Sequence, residues 1–356
     1  MTSGQSQRAG AGAQQIQVMG DLKIGIDEVR ARDIAREQAR LAIEEYAGEA
    51  RAEADARIAR FDEMLLERMH SDDLGAFAEP DFQVALRRTQ IEAATSPRES
   101  DWEKLATLLG DRVHGGASRV YKAALDTAIE AAARIDEGAL AALSATNAAL
   151  MWFPTTGDAG GGIALQSSII SPLVADGLPS GADWLDHLES LGLVRTIPAR
   201  PKPLGQVLTS SVPGYVCVGV ESGSEAERQI NASLEPFGVT CLVPHRFKPG
   251  YFRMPYRDFS SIAGDLPAML RLDLHDLLLD IAENQVRIDS VDNGAIDAYM
   301  REFASRPELS EFASWWEKLS SALRITAAGK AMAYVHARKV VPDVPVPNPI
   351  DSAEAR

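Results

Sequence analysis

A chain of 356 residues with 46% hydrophobic side chains can bury a core for two or three domains, which excludes disorder throughout. Its formal net charge of −15 repels polyanions at long range and argues against a nonspecific nucleic-acid coat protein. Aromatic residues are only 6% and alanine is abundant; alanine loses no side-chain entropy on ordering, so the composition leans helical.

Residues 1–26 are rich in Gly, Gln, Ser and Ala and read as a mobile head, with a short alternation near Ile16 and Ile24 that permits a small strand pair. No apolar signal segment opens the chain. Two cysteines, Cys217 and Cys241, are too few for a disulfide framework, so a cytoplasmic setting is expected.

Residues 27–70 contain no proline and one glycine, Gly48. Ile34, Leu41, Ile58, Phe61 and Leu65 recur close to a three-four alternation, with charges of both signs between them. One long helix is predicted, about 60 Å at 1.5 Å per residue. Such a helix needs a partner for its apolar stripe, and these five residues are the candidates for self-assembly.

Residues 71–80 read as a break, and 81–94 as a helix started beside Pro80. Ser100 with Glu103 has capping-box spacing for a helix through Val113. Residues 118–135 and 136–153 read as two further helices. The stretch 138–157 carries no charge and is long enough to cross a bilayer, but Ser144, Thr146, Asn147 and Pro154 favour a buried core helix. A glycine-rich loop at 155–162 is followed by an apolar helix at 165–175. An amphipathic helix over 181–193 ends at Gly192, which can take the left-handed conformation.

Texture changes after Pro198. Strand-like runs occur at 206–210, 215–220 and 239–243 within an inserted segment, 199–265. Helices are predicted again over 266–284, 294–304, 307–319 and 327–340. Residues 341–356 are a proline-rich tail. The pieces 185–197 (helix then strand) and 323–337 (strand, turn, helix) suggest a winged-helix-like module over 181–340. The first helix exposes Asp186 and Glu189, which suit protein contacts or scaffold better than a phosphate backbone.

Motifs for chemistry are scarce. TTGDAGGG at 155–162 lacks the lysine of a phosphate loop and follows a helix instead of a strand, so no cofactor is assigned. The histidines are His70, His114, His187, His245, His275 and His336. None lies in HExxH or pairs with another at ligand spacing, so no metal residue is assigned, although a site assembled from distant segments stays open. No nucleophile elbow or catalytic set is present. The basic-aromatic run HRFKPGYFRMPYRDF, 245–259, stands out in so acidic a chain. Arg246, Lys248, Arg253 and Arg257 alternate with rings that include Tyr251 and Tyr256, and cations with stacking rings are the logic of single-strand binding. The competing reading places the rings in a core and pairs the cations with surplus carboxylates.

EPDFQVAL (79–86) with Gln90, LATLLGDRV (105–113), the alanine-rich stretch 122–133, LESLGLV (188–194) and LRITAAGKAMAYVHA (323–337) together resemble an uncharacterised bacterial family of the LPO/Vpar type. The resemblance implies a helical fold and a role in stress response or phage defence. It implies no catalytic residues.

The sequence thus predicts a mainly α protein. It has a long N-terminal oligomerisation helix, a helical bundle over 71–180 and a winged-helix-like module with a small β-containing insertion. The leading function is non-enzymatic, through contacts with copies of itself and an unidentified protein partner. The alternatives are a nucleic-acid-binding regulator using 245–259 and a membrane-acting effector using 138–175.

Overall fold

The computed structural model describes residues 28–114, 118–265 and 272–348. The expected head, 1–26, and the end of the tail lie outside the described residues. The protein is mainly helical, as predicted, and divides into two units, Met1–Asp55 and Ala56–Arg356.

Helix α1 (Glu28–Arg68) runs through the expected span without a break. In the first unit it is studded with ion pairs: Arg40 reaches Glu37 at 2.7 Å and Glu44 at 2.9 Å. Solvent screens each such exposed pair, so it adds little to the helix. Ile34 and Leu41 are both 45% exposed here.

In the second unit the same helix is different. Phe61, Met64 and Leu65 are buried in one apolar cluster with residues of α2 (Pro80–Thr95), α3 (Glu99–His114) and α4 (Arg119–Ala132). Phe61 and Leu65, expected on an assembly face, are therefore core residues of this unit. Their apolar stripe finds its partner in the chain itself, and Ile58 is half-buried beside them.

Local chemistry sets the helix starts. Pro80 opens α2, where its missing N–H would have been unpaired in any case. Ser118 caps α4 by accepting from the Tyr121 amide, and Asp136 caps α5 (Glu137–Met151) through Ala139. The expected cap at Ser100 is not made: α3 already begins at Glu99, so Ser100 lies inside it, and its hydroxyl donates to Glu137. The uncharged stretch from 138 lies mostly in α5, a buried core helix whose residues from Ala139 to Ala149 are all shielded. Among the described residues no helix is long and apolar enough to cross a membrane.

After α6 (Ala159–Leu173) and α7 (Asp183–Ser190), the chain turns at Gly192, whose φ of 72° is the left-handed conformation foreseen there. Strand β1 (Val194–Ile197) follows. Far along the chain β5 (Ala322–Ile325) pairs with it antiparallel, Val194 opposite Ile325, and leads into α14 (Ala327–Val340). The two segments expected to share one module thus meet. Helix α7 buries Trp184, Leu185 and Leu188 and turns Asp183, Asp186 and Glu189 outward. Helix α14 packs on α3, α4 and α5, with Met332 fully buried.

A second apolar cluster joins the end of α5, α6, α8 (Leu204–Thr209), α12 (Asn293–Phe303) and α13 (Pro307–Glu317). The run 206–210, read as strand-like, lies mostly in α8. Leu204, Val207 and Leu208 bury one helical face, and so short an apolar run has no period of its own to separate helix from strand.

A third cluster belongs to a unit inserted between Val216 and Asp292. It contains a small sheet in the order β2 (Val220–Glu221), β4 (Tyr251–Arg253), β3 (Val243–Pro244). Helices α9 (Glu225–Leu234), α10 (Phe259–Asp265) and α11 (Leu272–Asp280) and a π-helical turn at Ile281–Val286 accompany it. The expected limits, 199–265, are shifted. Helical residues 272–286 belong to the insertion, while α8 packs with the host. The insertion's two ends are stitched together. The Asp292 amide donates to the Val216 carbonyl at 2.7 Å, and Val218 donates to Ser290 at 2.9 Å.

Candidate functional site

Three places in the chain attract chemistry. The basic-aromatic segment is the first. Arg253 is buried, and its guanidinium donates to the carbonyls of Gly157 (2.7 Å) and Met254 (2.8 Å), with Gly214 and Tyr256 at 3.4 Å. Arg246 forks onto Glu302, at 2.9 Å and 2.8 Å for the nearer contacts, which holds its pKa above the ordinary value. Lys248 pairs with Asp292 at 3.0 Å and sits 4.0 Å over the Tyr251 ring. Its ammonium is the chief reason the Asp292 carboxyl stays below the usual range. Arg257 pairs with Asp258 and donates to the Pro154 carbonyl. Phe247 is core, edge-on to Tyr299, and Tyr256 packs on the third cluster. The cations expected to meet phosphates are thus engaged with this chain's own carboxylates and carbonyls. The acidic composition explains it, since surplus carboxylates supply intramolecular partners.

The glycine-rich loop is the second place, and it lies against that segment. A Cβ on Gly157 would meet the Pro255 carbonyl oxygen at 1.8 Å, and one on Gly162 would meet the Tyr215 hydroxyl at 2.4 Å. These glycines serve close approach. At the start of α6 the carboxylate of Asp158 accepts from the Gly160 and Gly161 amides at 3.2 and 2.8 Å. A helix N-terminus that attracts an anion therefore already holds one belonging to the chain.

The third place was not foreseen. His70 stands just before the 3₁₀ turn Ser71–Ala78, at its N-cap, Asp73 lies in that turn, and His114 is the last residue of α3. The His114 Nε2 stands 2.9 Å from Asp73 Oδ2, and the His70 Nδ1 stands 3.4 Å from the same oxygen. The two rings are 5.8 Å apart, edge to face. The His70 backbone N–H donates to Asp73 Oδ2 at 2.7 Å and holds that carboxyl below its ordinary range, with His114 adding to the effect. One imidazole-carboxylate pair was visible in the sequence as H-x-x-D at 70–73. His114 comes from another helix, and nothing in the local sequence joins it to them.

Both histidines line a cleft of about 640 Å³ between the end of α1, α3 and α14. Its wall carries Arg68, Lys104, Arg338 and Lys339 against Glu103 and Asp111. Asp111, deep in this wall, has its pKa raised by burial. The other histidines have structural roles. His187 accepts from the Asp136 amide, His245 bonds the Cys217 carbonyl, His275 sits beside Asp276, and His336 bonds the Ser144 hydroxyl. Both cysteines are buried with thiols pushed up to about 11, which removes them as nucleophiles at neutral pH.

No curated protein and no solved structure matches the chain. A family model does match, over residues 25–346, most of the chain's length. The chain belongs to that uncharacterised family, which is consistent with the Vpar-type resemblance carried by its motifs.

Proposed function

We propose that this protein acts through protein contacts and assembles with copies of itself along the N-terminal stretch of α1. The carrying observation is exposure. Ile34 and Leu41, seven residues apart and so on one face, are each 45% exposed on a helix that buries neither of them. A helix of this kind gains little from propensity and surface ion pairs alone; most helical stability in proteins comes from a packed apolar face. A second copy supplies such a face, and the mixed charges of Arg36, Glu37, Arg40 and Glu44 allow two identical helices to pair without net repulsion. Phe61 and Leu65 take no part, being core. The stress or phage-defence setting implied by the family resemblance belongs to the same proposal.

Light scattering on the full chain tests it, beside the double variant Ile34→Gln, Leu41→Gln. The wild type is expected to exceed monomer mass and the variant to weaken association at least tenfold, about 1.4 kcal/mol. A monomeric wild type at micromolar concentration removes the proposal.

A further inference from the structure

We propose that His70, Asp73 and His114 bind a divalent transition-metal ion of the zinc class, with one coordination position open to the adjoining cleft. These three side chains offer ligand atoms that all lie within 4.8 Å of one another. Zinc holds nitrogen and oxygen ligands at about 2.0–2.2 Å, so two ligands at a tetrahedral angle stand about 3.4 Å apart. The His70–Asp73 separation is 3.4 Å and the His114–Asp73 separation 2.9 Å, so little movement is needed to admit an ion.

The ligand set of two imidazoles and one carboxylate suits zinc and its first-row neighbours, not calcium or magnesium, which prefer all-oxygen sites. Three protein ligands leave a position free, unlike the closed four-ligand sites that serve structure alone. That position adjoins the cleft, whose Lys104, Arg338 and Lys339 are paired with Asp101 and Glu137, with Asp111 and with Glu103. An oxygen ligand from solvent or a small anion can complete the four-coordinate set there. The inference goes beyond the assembly proposal and does not depend on it.

The competing state is a plain ion pair, with protons between the imidazoles and the carboxylate. The full chain, stripped with chelator, separates the two. Titration with zinc is expected to load one ion per chain, and cobalt to give visible d–d absorption. His114→Ala, His70→Ala and Asp73→Asn should each weaken loading at least tenfold while leaving the metal-free melting curve and helical circular dichroism in place. His70 and His114 are exposed, and asparagine can still accept the His70 amide. Inorganic phosphate added to the cobalt form should shift the bands. Failure of the wild type to load, or equal loading by the His70→Ala/His114→Ala double variant, overturns the site. Unchanged bands with phosphate overturn its open position.

Discussion

The guanidinium of Arg253 donates to the carbonyl of Gly157 at 2.7 Å, across 96 positions of sequence. This bond joins the chain's two most conspicuous local motifs, the basic-aromatic segment and the glycine-rich loop. Each looks like a ligand site when read alone. Together they form an internal joint, in which Gly157 is small enough for the Pro255 backbone to approach and Arg253 satisfies the carbonyls that the approach buries.

Arg253→Ala is expected to cost about 2–4 kcal/mol of unfolding free energy, because buried carbonyls lose a charged donor. Arg253→Lys restores only part, since an ammonium cannot fork across the same acceptors. Urea denaturation of the three proteins measures this. A labelled single strand should show no affinity at about 0.15 M salt for any of them.

Arg246→Ala serves as the contrast. Its partner Glu302 is bidentate, but the two side chains are 51% and 35% exposed, and solvent screens the pair. The expected loss is under about 1 kcal/mol by the same measurement. A loss equal to that of Arg253→Ala would show that burial does not separate the two arginines.

Glycine substitutions should divide in sign. At Gly157 a methyl group meets backbone at 1.8 Å, and Gly157→Ala is expected to lose about 2–4 kcal/mol. At Gly48, inside α1, nothing lies within 4 Å, so Gly48→Ala should stabilise the helix by about 0.5–1 kcal/mol. Melting curves followed at 222 nm check both.

His336 makes stability pH-dependent. Burial pushes its pKa from 6.5 down to about 4, with Glu137 opposing and Lys104 and Lys339 reinforcing the shift. The folded state therefore favours the neutral ring bonded to Ser144. Its contribution is complete above about pH 6.5 and is lost as pH falls toward 4. Between pH 7 and pH 5 the loss is on the order of 2 kcal/mol. His336→Gln should flatten that window in urea midpoints taken at both pH values.

Much of the helical frame was legible because its signals are local. Pro80, Asp136, Gly192 and Thr326 each act within one turn of the helix they start or stop, and the predicted helices of 81–94, 118–135 and 136–153 differ from the observed ones only at their ends. The fate of the α1 stripe was not legible. Ile34 and Phe61 belong to one three-four apolar series in the sequence, yet one is 45% exposed and the other is fully buried in the cluster shared with α2 to α4. The same reason hid the His70–Asp73–His114 cluster. Two of its members are close in sequence, but the third arrives with the end of α3, and only tertiary packing sets that distance. Residues 272–286, which pack in the insertion's apolar cluster, are helical like the host, so composition alone does not set them apart.

The stitched ends of that insertion have an evolutionary consequence. Val216 and Asp292 are joined by a backbone hydrogen bond, and Cys217 faces Val291 across an antiparallel bridge. Strands so paired lie about 4.5–5.5 Å apart, a gap that a tight turn of two residues closes. The intervening unit carries its own apolar cluster, and the host's Tyr215 and Ala295 pack in the other one. A cassette exchanged at this point must still present Phe247 to Tyr299 and Arg253 to Gly157, the two places where it reaches into the host.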